Sequence, residues 1–288
     1  MRVVVGSNPI IPTILQIIFS FKHRFPEIRK HDRITLFMKK ILLTNDDGFR
    51  SPGLTSLRDV LLKNFDVFTI APATEMSAVS MALTLNRPLR VEKIEDDFYS
   101  VDGTPSDCVN LAMRKLMETM PDLVVSGMNL GENLSEDIVY SGTVGAATSG
   151  FFYNVPALAV SMISDKKSYS RGVFDISGST SIVERVIESL LKIRELKGVF
   201  NLNIPYKGSG KIAVTSLGNK RYKPDIDERL DPRGRKYYWI GTGNPVSSGE
   251  KGTDIWAIKN GHSSLSPLSL NLQCFSSTID LNGVFNDV

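Results

Sequence analysis

Hydrophobic residues form short runs that alternate with amphipathic segments as far as residue 202. The apolar run from Ile41 to Leu43 leads into the sequence Asp46–Gly48, which is the pattern of a buried strand that ends in a turn. A helix is predicted to begin at Ser51–Gly53, and a second strand is predicted over 66–72. A strand, a helix and a strand in about thirty residues predict a βαβ unit with parallel strands.

The same alternation continues beyond this unit. Thr104 is suited to cap a helix that begins at Pro105, and Asp107 has the spacing of a capping box. The apolar run over 121–127 is typical of an interior strand of a parallel sheet. Further elements predicted from these patterns are a helix over 142–152, a strand over 157–162 and a helix over 179–197.

From about residue 203 the pattern changes to short alternating strands, such as 211–217 and 237–241, with connections rich in Gly, Pro, Asp and Ser. We therefore predict an α/β fold, with a three-layer, Rossmann-like catalytic body over 39–202 and a mainly parallel sheet. The C-terminal part, 203–288, is predicted to be extended and β-rich, with a hairpin or arm for oligomerisation.

Residues 1–38 differ in character from the rest of the chain, and we predict that they are a dispensable N-terminal extension. Their apolar run, Ile10 to Phe21, contains Pro12 and is too short to span a bilayer. No other segment reaches the length of a membrane span, so no membrane partner is predicted.

Composition narrows the possible chemistry. The net charge of +3 on 288 residues is too small to favour a nucleic-acid polymer as partner. Three histidines, two of them in the N-terminal segment, argue against a Ser-His-Asp triad and a histidine-rich metal centre. The two cysteines, Cys108 and Cys274, are far apart, which favours a reducing compartment and a cytoplasmic location.

The adjacent acids Asp46 and Asp47 are the first candidate for chemistry. They follow a predicted strand, and ligands of open α/β sheets bind at the carboxyl ends of the strands. Two neighbouring carboxylates repel each other, and a divalent cation is a common way to stabilise such a pair. A turn with solvated acids is the alternative, because Asp and Gly are ordinary turn residues. The motif by itself leaves both explanations open.

Three further polar segments, 71–80, 126–133 and 140–147, follow predicted strands or begin predicted helices. In a parallel sheet all of them lie at one edge, where their hydroxyl and amide oxygens would suit Mg²⁺, Mn²⁺ or Ca²⁺. The helix start at 141–143 offers backbone N–H groups to an anion. For each segment alone, a turn or a helix cap is the commoner explanation.

Several motifs in fixed order resemble the SurE family of stationary-phase survival proteins, which are metal-dependent 5′-nucleotidases. The similarity extends from about Lys39 to Leu270. The motifs that carry it include LLTNDDG at 42–48, GTPSDCV at 103–109, PDLVVSGMNLGENL at 121–134, YSGTVGAA at 140–147, DPRGRKYYW at 231–239 and GTDIWAI at 252–258.

The resemblance implies a set of site residues. The metal ligands that it implies are Asp46, Asp47, Ser77 and Asn129, and the phosphate contacts that it implies are Asn133, Ser141, Gly142 and Thr143. Met76 departs from the family pattern, which usually has a basic residue before the ligand serine. The resemblance also implies a homodimer or homotetramer that assembles through a C-terminal hairpin.

From the motifs and the resemblance we predict a phosphomonoesterase that hydrolyses nucleoside 5′-monophosphates to nucleoside and phosphate with one divalent ion, Mg²⁺ or Mn²⁺. Activity on 3′-nucleotides or polyphosphate stays open. Asp46 and Asn133 are the candidate catalytic residues, with Asp46 accepting a proton from water. An aspartyl-phosphate enzyme is disfavoured, because the two acids are adjacent rather than one residue apart. A nucleotide-binding or sensing module without turnover is the remaining alternative.

Overall fold

The computed structural model describes residues 38–163, 176–222, 225–241 and 245–270. The strands are β1 (Lys40–Thr44), β2 (Asp66–Pro72), β3 (Val91–Glu95), β4 (Phe98–Val101), β5 (Leu123–Asn129), β6 (Ala157–Ile163), β7 (Val199–Pro205), β8 (Ile212–Val214), β9 (Asn219–Arg221), β10 (Asp225–Leu230), β11 (Lys236–Gly241), β12 (Val246–Ser248) and β13 (Ser263–Leu268). The α-helices are α1 (Pro52–Leu61), α2 (Pro105–Leu111), α3 (Gly142–Phe151), α4 (Ser177–Leu191) and α5 (Asp254–Lys259). A π-helical turn, Ala112–Leu116, follows α2, and a 3₁₀ helix, Ser135–Val139, precedes α3.

Nine strands form the central sheet, in the order β3-β4-β2-β1-β5-β6-β7-β13-β8. The six neighbouring strands from β4 to β7 are all parallel. Strand β3 is antiparallel to β4, and β13 is antiparallel to β7. The prediction of an α/β fold with a mainly parallel sheet is therefore confirmed.

Helices cover both faces of the sheet, because neighbouring residues of the interior strands point to opposite sides. Leu43 of β1 packs in a cluster with Leu54 of α1 and with the apolar face of α4. Leu42 packs on the other face, in a cluster with Val109 of α2 and with α3. The two clusters hold helices against opposite faces of the sheet, which gives three layers. Full burial of one leucine side chain contributes about 2 kcal/mol to this packing.

Local sequence signals set several element ends as predicted. Thr104 accepts a hydrogen bond from the Asp107 backbone N–H, and the Asp107 side chain accepts one from the Thr104 N–H. The predicted capping box is thus confirmed. Helix α4 ends at Leu191 and not at the predicted residue 197. Glu195, with φ of +56°, has a left-handed conformation that a continuous helix cannot contain.

Strands β3 and β4 were not predicted. Strand β3 has the sequence VEKIE, which lacks the strict alternation of apolar and polar residues by which strands are recognised. All five of its residues are exposed. Strand β4 has only four residues. Strand β4 pairs with β2, and β3 pairs with β4 to form the edge of the sheet. Local periodicity does not reveal such pairing.

The C-terminal part contributes to the central sheet and also forms two small sheets. Strand β7 crosses the predicted boundary at residue 202, and β13 returns to pair with it. Strands β9 and β12 form one two-stranded sheet, and β10 and β11 form the other. The division at 202 stays a prediction.

The predicted N-terminal extension lies outside the described residues except for Met38. No helix in the described ranges is long and apolar enough to cross a membrane.

Candidate functional site

The turn after β1 is built by local hydrogen bonds. Asn45 is fully buried, and its amide Nδ2 donates to the Gly48 carbonyl oxygen at 3.0 Å and to Ser51 Oγ at 2.8 Å. Ser51 in turn caps α1 by accepting from the Leu54 N–H. Gly48 has φ of +94°, which glycine adopts without strain. The turn therefore holds both aspartates at the carboxyl end of β1.

Asp46 is almost completely buried and contacts the start of α3. Thr143 Oγ1 donates to Asp46 Oδ1 at 2.6 Å, across 97 positions of sequence. Burial raises the pKa of the Asp46 carboxyl, and the hydrogen bond from Thr143 opposes this rise. The contact joins a predicted metal ligand to a residue of the predicted phosphate site.

Asp47 is held in a poorly solvated position without a counter-charge. Burial, followed by the neighbouring Asp46 charge, raises the pKa of the Asp47 carboxyl to about 7, and a backbone hydrogen bond from Leu130 opposes the rise. Asp47 Oδ2 is buried and has no hydrogen-bond partner among the described residues. In that part of the chain, no ion pair involves either aspartate. An unpaired buried carboxylate oxygen is unfavourable unless a cation or a proton binds it.

The first residue of α3 lies against the Asp46 side chain. A Cβ placed on Gly142 would lie 2.9 Å from Asp46 Oδ2 and 3.2 Å from the Met76 carbonyl oxygen. Only glycine lets the helix start approach so closely. Ser141 caps the helix by accepting from the Val144 N–H at 3.1 Å. The Ser141 hydroxyl thus orients the helix end, and the Thr143 N–H donates a hydrogen bond to Asp46.

The segment after β2 borders the same turn. The Met76 N–H donates to the Asp46 carbonyl oxygen at 2.7 Å, so the residue that precedes Ser77 contacts the acidic turn. Ser77 Oγ donates to Glu75 Oε1 at 2.7 Å. The negative charge of Glu75 contributes to the raised pKa of both Asp46 and Asp47. Glu75 was not a predicted site residue, although its position two residues before Ser77 was a usable signal.

The two predicted asparagines have different surroundings. Asn129 ends β5, and its Nδ2 donates to the Gly131 carbonyl oxygen at 3.0 Å, which orients its amide. Asn133 is buried, and its Nδ2 donates to Ser161 Oγ of β6 at 2.8 Å. Asn201 and Asn203 of β7 both donate to the Asn133 carbonyl oxygen. Neither β7 asparagine was a predicted site residue.

The structure therefore brings Asp46, Gly142 and Thr143 into direct contact, and Met76 links the Ser77 segment to them. Asp47 is joined to the segment after β5 through Leu130, whereas the contacts of Asn133 lie with β6 and β7. Within the described ranges, no group of three or more His, Cys, Asp or Glu side chains could hold a metal ion. The donor set around the pair consists of carboxylate, hydroxyl and amide oxygens, which are hard ligands.

Fold and site together define a doubly wound α/β protein with a buried acidic site at the carboxyl edge of its parallel sheet. Comparison with known proteins identifies the family. The chain belongs to the SurE family: the family model described as "Survival protein SurE" matches residues 41–224.

Relatives and a solved structure agree with this assignment over most of the chain. A protein named 5′-nucleotidase SurE from Geotalea uraniireducens is 43% identical and covers 83% of this chain and 96% of its own length. A protein of the same name from Legionella pneumophila is 37% identical, with coverage of 86% and 98%. The crystal structure of the SurE protein from Aquifex aeolicus is 36% identical, covers 85% of this chain and 99% of its own, and has a TM-score of 0.71.

Proposed function

We propose that this chain hydrolyses nucleoside 5′-monophosphates to nucleoside and phosphate at the Asp46–Asp47 turn. It is a 5′-nucleotidase of the SurE family, in line with relatives of that name that cover most of the chain. The observation that carries the site assignment is the buried, unpaired Oδ2 of Asp47, whose chain neighbour Asp46 lies against the start of α3. The alternative of a nucleotide-binding module without turnover gains no support from these relatives.

One divalent ion, Mg²⁺ or Mn²⁺, fits the donor atoms of the site. The residues that would hold it are Asp46, Asp47, Ser77 and Asn129. The fit rests on the two adjacent carboxylates, on the orphaned Oδ2 of Asp47 and on the all-oxygen character of the donors. When bound, such an ion polarises a phosphate oxygen and offsets the negative charge of the pair.

The phosphate is proposed to lie against the start of α3, where Ser141, Gly142 and Thr143 meet Asp46. The Ser141 hydroxyl is used in capping, so its part is to hold the helix end in place. The backbone N–H groups of a helix's first turn favour an anion; here the Val144 N–H donates to Ser141 Oγ and the Thr143 N–H donates to Asp46, which leaves the Gly142 N–H for the phosphate. Asn133 is proposed as a further phosphate contact, because its backbone is fixed on both sides by β7.

Asp46 is proposed to accept the proton of the attacking water. The Thr143 hydroxyl holds its carboxylate in one orientation, beside the start of α3 where the phosphate is proposed to lie. Asn133 is proposed to assist by holding a phosphate oxygen.

A phosphate-release assay tests the function with a panel of nucleoside monophosphates, each in the presence of Mg²⁺ or Mn²⁺. Nucleotide binding without turnover under all of these conditions would contradict the proposal.

The stability of the metal-free protein is expected to depend on pH through Asp47. Its pKa is about 7 in the folded state, against about 3.9 in an unfolded chain, so the folded state holds the extra proton between these values. The stabilisation is present at low pH and is lost as the pH rises through about 7. In urea unfolding with chelator, the wild-type stability minus that of Asp47→Asn should fall over this range. A constant or rising difference would contradict the assignment.

We propose a homodimer or homotetramer that assembles through the β10–β11 hairpin. Its residues Ile226, Trp239 and Ile240 are 63%, 62% and 87% exposed, which is unusual for large apolar side chains. Light scattering of the active protein is expected to give at least twice the 31.9 kDa chain mass. The double change Trp239→Ser with Ile240→Ser should lower that mass. A fully active monomer at micromolar concentration would rule the hairpin interface out.

A cytoplasmic location is proposed from the low cysteine content. Cys108 is buried in the second core cluster and is a free thiol. Oxidising conditions are not needed to complete the described part of the fold.

A further inference from the structure

The segment between Asn133 and α3 is fastened by buried charged side chains of the C-terminal part. This segment contains the 3₁₀ helix Ser135–Val139 and leads into Ser141, the cap of α3. Among the described residues it pairs with no strand of the central sheet, and its hydrogen-bonding contacts come from Ser80 and from side chains of the C-terminal part. Two of these charged side chains are almost fully buried: Asp254 is 0% exposed and Lys220 is 4% exposed.

Asp254, at the start of α5, holds Ser135. Asp254 Oδ2 accepts from the Ser135 N–H at 2.7 Å, and Oδ1 accepts from the Ser135 hydroxyl at 3.3 Å. Oδ1 also accepts from the N–H groups of Gly218 and Ile255, both at 2.7 Å. Ser135 has φ of +52°, a left-handed conformation that is unfavourable for a residue with a side chain. The Asp254 carboxylate compensates for that conformation, two residues beyond Asn133.

Lys220, on β9, holds the next turn of the segment. Its Nζ donates to Glu132 Oε1 at 2.6 Å and to Asp137 Oδ2 at 2.5 Å. Burial lowers the pKa of Lys220, but the hydrogen bonds to Asp137 and Glu132 outweigh burial and raise it overall. The Asp137 carbonyl oxygen accepts from the Ser141 N–H at 3.1 Å, so the position of Asp137 bears directly on the cap of α3.

We propose that Asp254 and Lys220 are positioning residues for the reaction, which hold the phosphate-binding segment in its active conformation. Neither side chain contacts the Asp46–Asp47 turn in the described structure; both act through Ser135 and Asp137. The inference rests on the proposed assignment of Asn133 and Ser141–Thr143 to the phosphate. It has a specific consequence: loss of either side chain should weaken phosphate binding while metal binding is retained, because neither side chain is hydrogen-bonded to Asp46, Asp47, Ser77 or Asn129 in the described structure.

The main test is Asp254→Asn. An amide offers one oxygen in place of two, so an NH₂ group must face a backbone N–H of Ser135, or those of Gly218 and Ile255. The inhibition constant of inorganic phosphate, and KM for adenosine 5′-monophosphate, should rise about tenfold, which corresponds to about 1.4 kcal/mol of binding free energy. The Kd for Mn²⁺ by calorimetry should stay within about twofold of the wild-type value.

A control separates positioning from general destabilisation. Leu190 of α4 is buried in the core cluster on the face of α1, and Leu190→Ala should lower the melting temperature without changing the inhibition by phosphate. An inhibition constant in Asp254→Asn equal to that in Leu190→Ala would overturn the inference. Loss of Mn²⁺ binding together with phosphate binding would overturn it as well, since the effect would then extend to the whole site.

A milder variant covers the case in which Asp254→Asn does not fold. Glu132→Gln combined with Tyr222→Phe changes two partly exposed side chains that share the Lys220–Asp137 contact, including the Tyr222 hydroxyl bond to Asp137. Inhibition by phosphate should weaken about threefold, with Mn²⁺ affinity kept. Unchanged inhibition would count against the inference.

Asn133→Ala distinguishes the inference from the assignment on which it rests. If Asn133→Ala leaves phosphate inhibition unchanged, the phosphate assignment of Asn133 fails. If Asn133→Ala weakens inhibition and Asp254→Asn does not, only the positioning role fails.

Discussion

Asp47→Asn is expected to abolish phosphate release while the protein stays folded. The change removes one charge from a site that has two carboxylates, and metal affinity depends strongly on the number of charged ligands. The Kd for Mn²⁺ should rise roughly 100-fold or more. At neutral pH the metal-free variant should be at least as stable as the wild type, because the replaced carboxylate is buried, unpaired and next to Asp46.

A matched control is available on the neighbouring strand. Asp66 begins β2 at the opposite end of the sheet and pairs with Lys40 at 3.2 Å, so Asp66→Asn also removes one carboxylate charge. That variant should retain wild-type activity and metal affinity, since this partly buried ion pair lies at the end of the strands opposite to the acidic turn. Full activity of Asp47→Asn after metal titration would contradict the assignment of Asp47 as a ligand.

Gly142→Ala is expected to cause the second largest loss. The added methyl group would lie 2.9 Å from both Cβ and Oδ2 of Asp46 and 3.2 Å from the Met76 carbonyl oxygen, so either the Asp46 carboxylate or the helix start must move. Catalysis depends on sub-ångström placement, and kcat/KM should therefore fall about 100-fold or more. The larger change Gly142→Val should also eliminate inhibition by inorganic phosphate, because it fills the space in front of the first-turn N–H groups.

Gly178→Ala is the control for this substitution. Gly178 lies in the first turn of α4, and a Cβ placed there meets nothing within 4 Å. Both substitutions put alanine into a helix, where it is favoured over glycine by about 1 kcal/mol. Gly178→Ala should leave kinetics unchanged and raise stability slightly. Equal kinetics of the two variants would contradict the close approach of α3 to Asp46 as a requirement for activity.

The elements around Asp46 could be predicted because their signals are local. The apolar run of β1, the Ser51 cap and Pro52 of α1, and the capping box at Thr104 each lie within a few neighbouring residues. The parallel order followed from the alternation of strands and helices, since such connections are right-handed. The family resemblance added the candidate ligands, and the family itself is confirmed, whereas the individual site roles stay predictions.

Elements without a local signal could not be predicted. Strand β3 is exposed on both faces, and β4 is defined by its pairing with β2. Strand β13 pairs with β7, with Ser264 opposite Asn203, although five strands and a helix lie between these residues along the chain. The alternation within β13 does not distinguish a place in the central sheet from a place in a separate hairpin.

The sequence by itself determined the strand–turn that carries Asp46 and Asp47, the helix starts and the alternation that produces a parallel sheet, because these depend on residues a few positions apart. Only the tertiary structure decided what surrounds the acidic pair. The bond from Thr143 to Asp46 spans 97 positions, and that from Ser135 to Asp254 spans 119. Contacts of such separation arise when the chain folds back on itself, and the burial that raises the pKa of Asp47 arises with them.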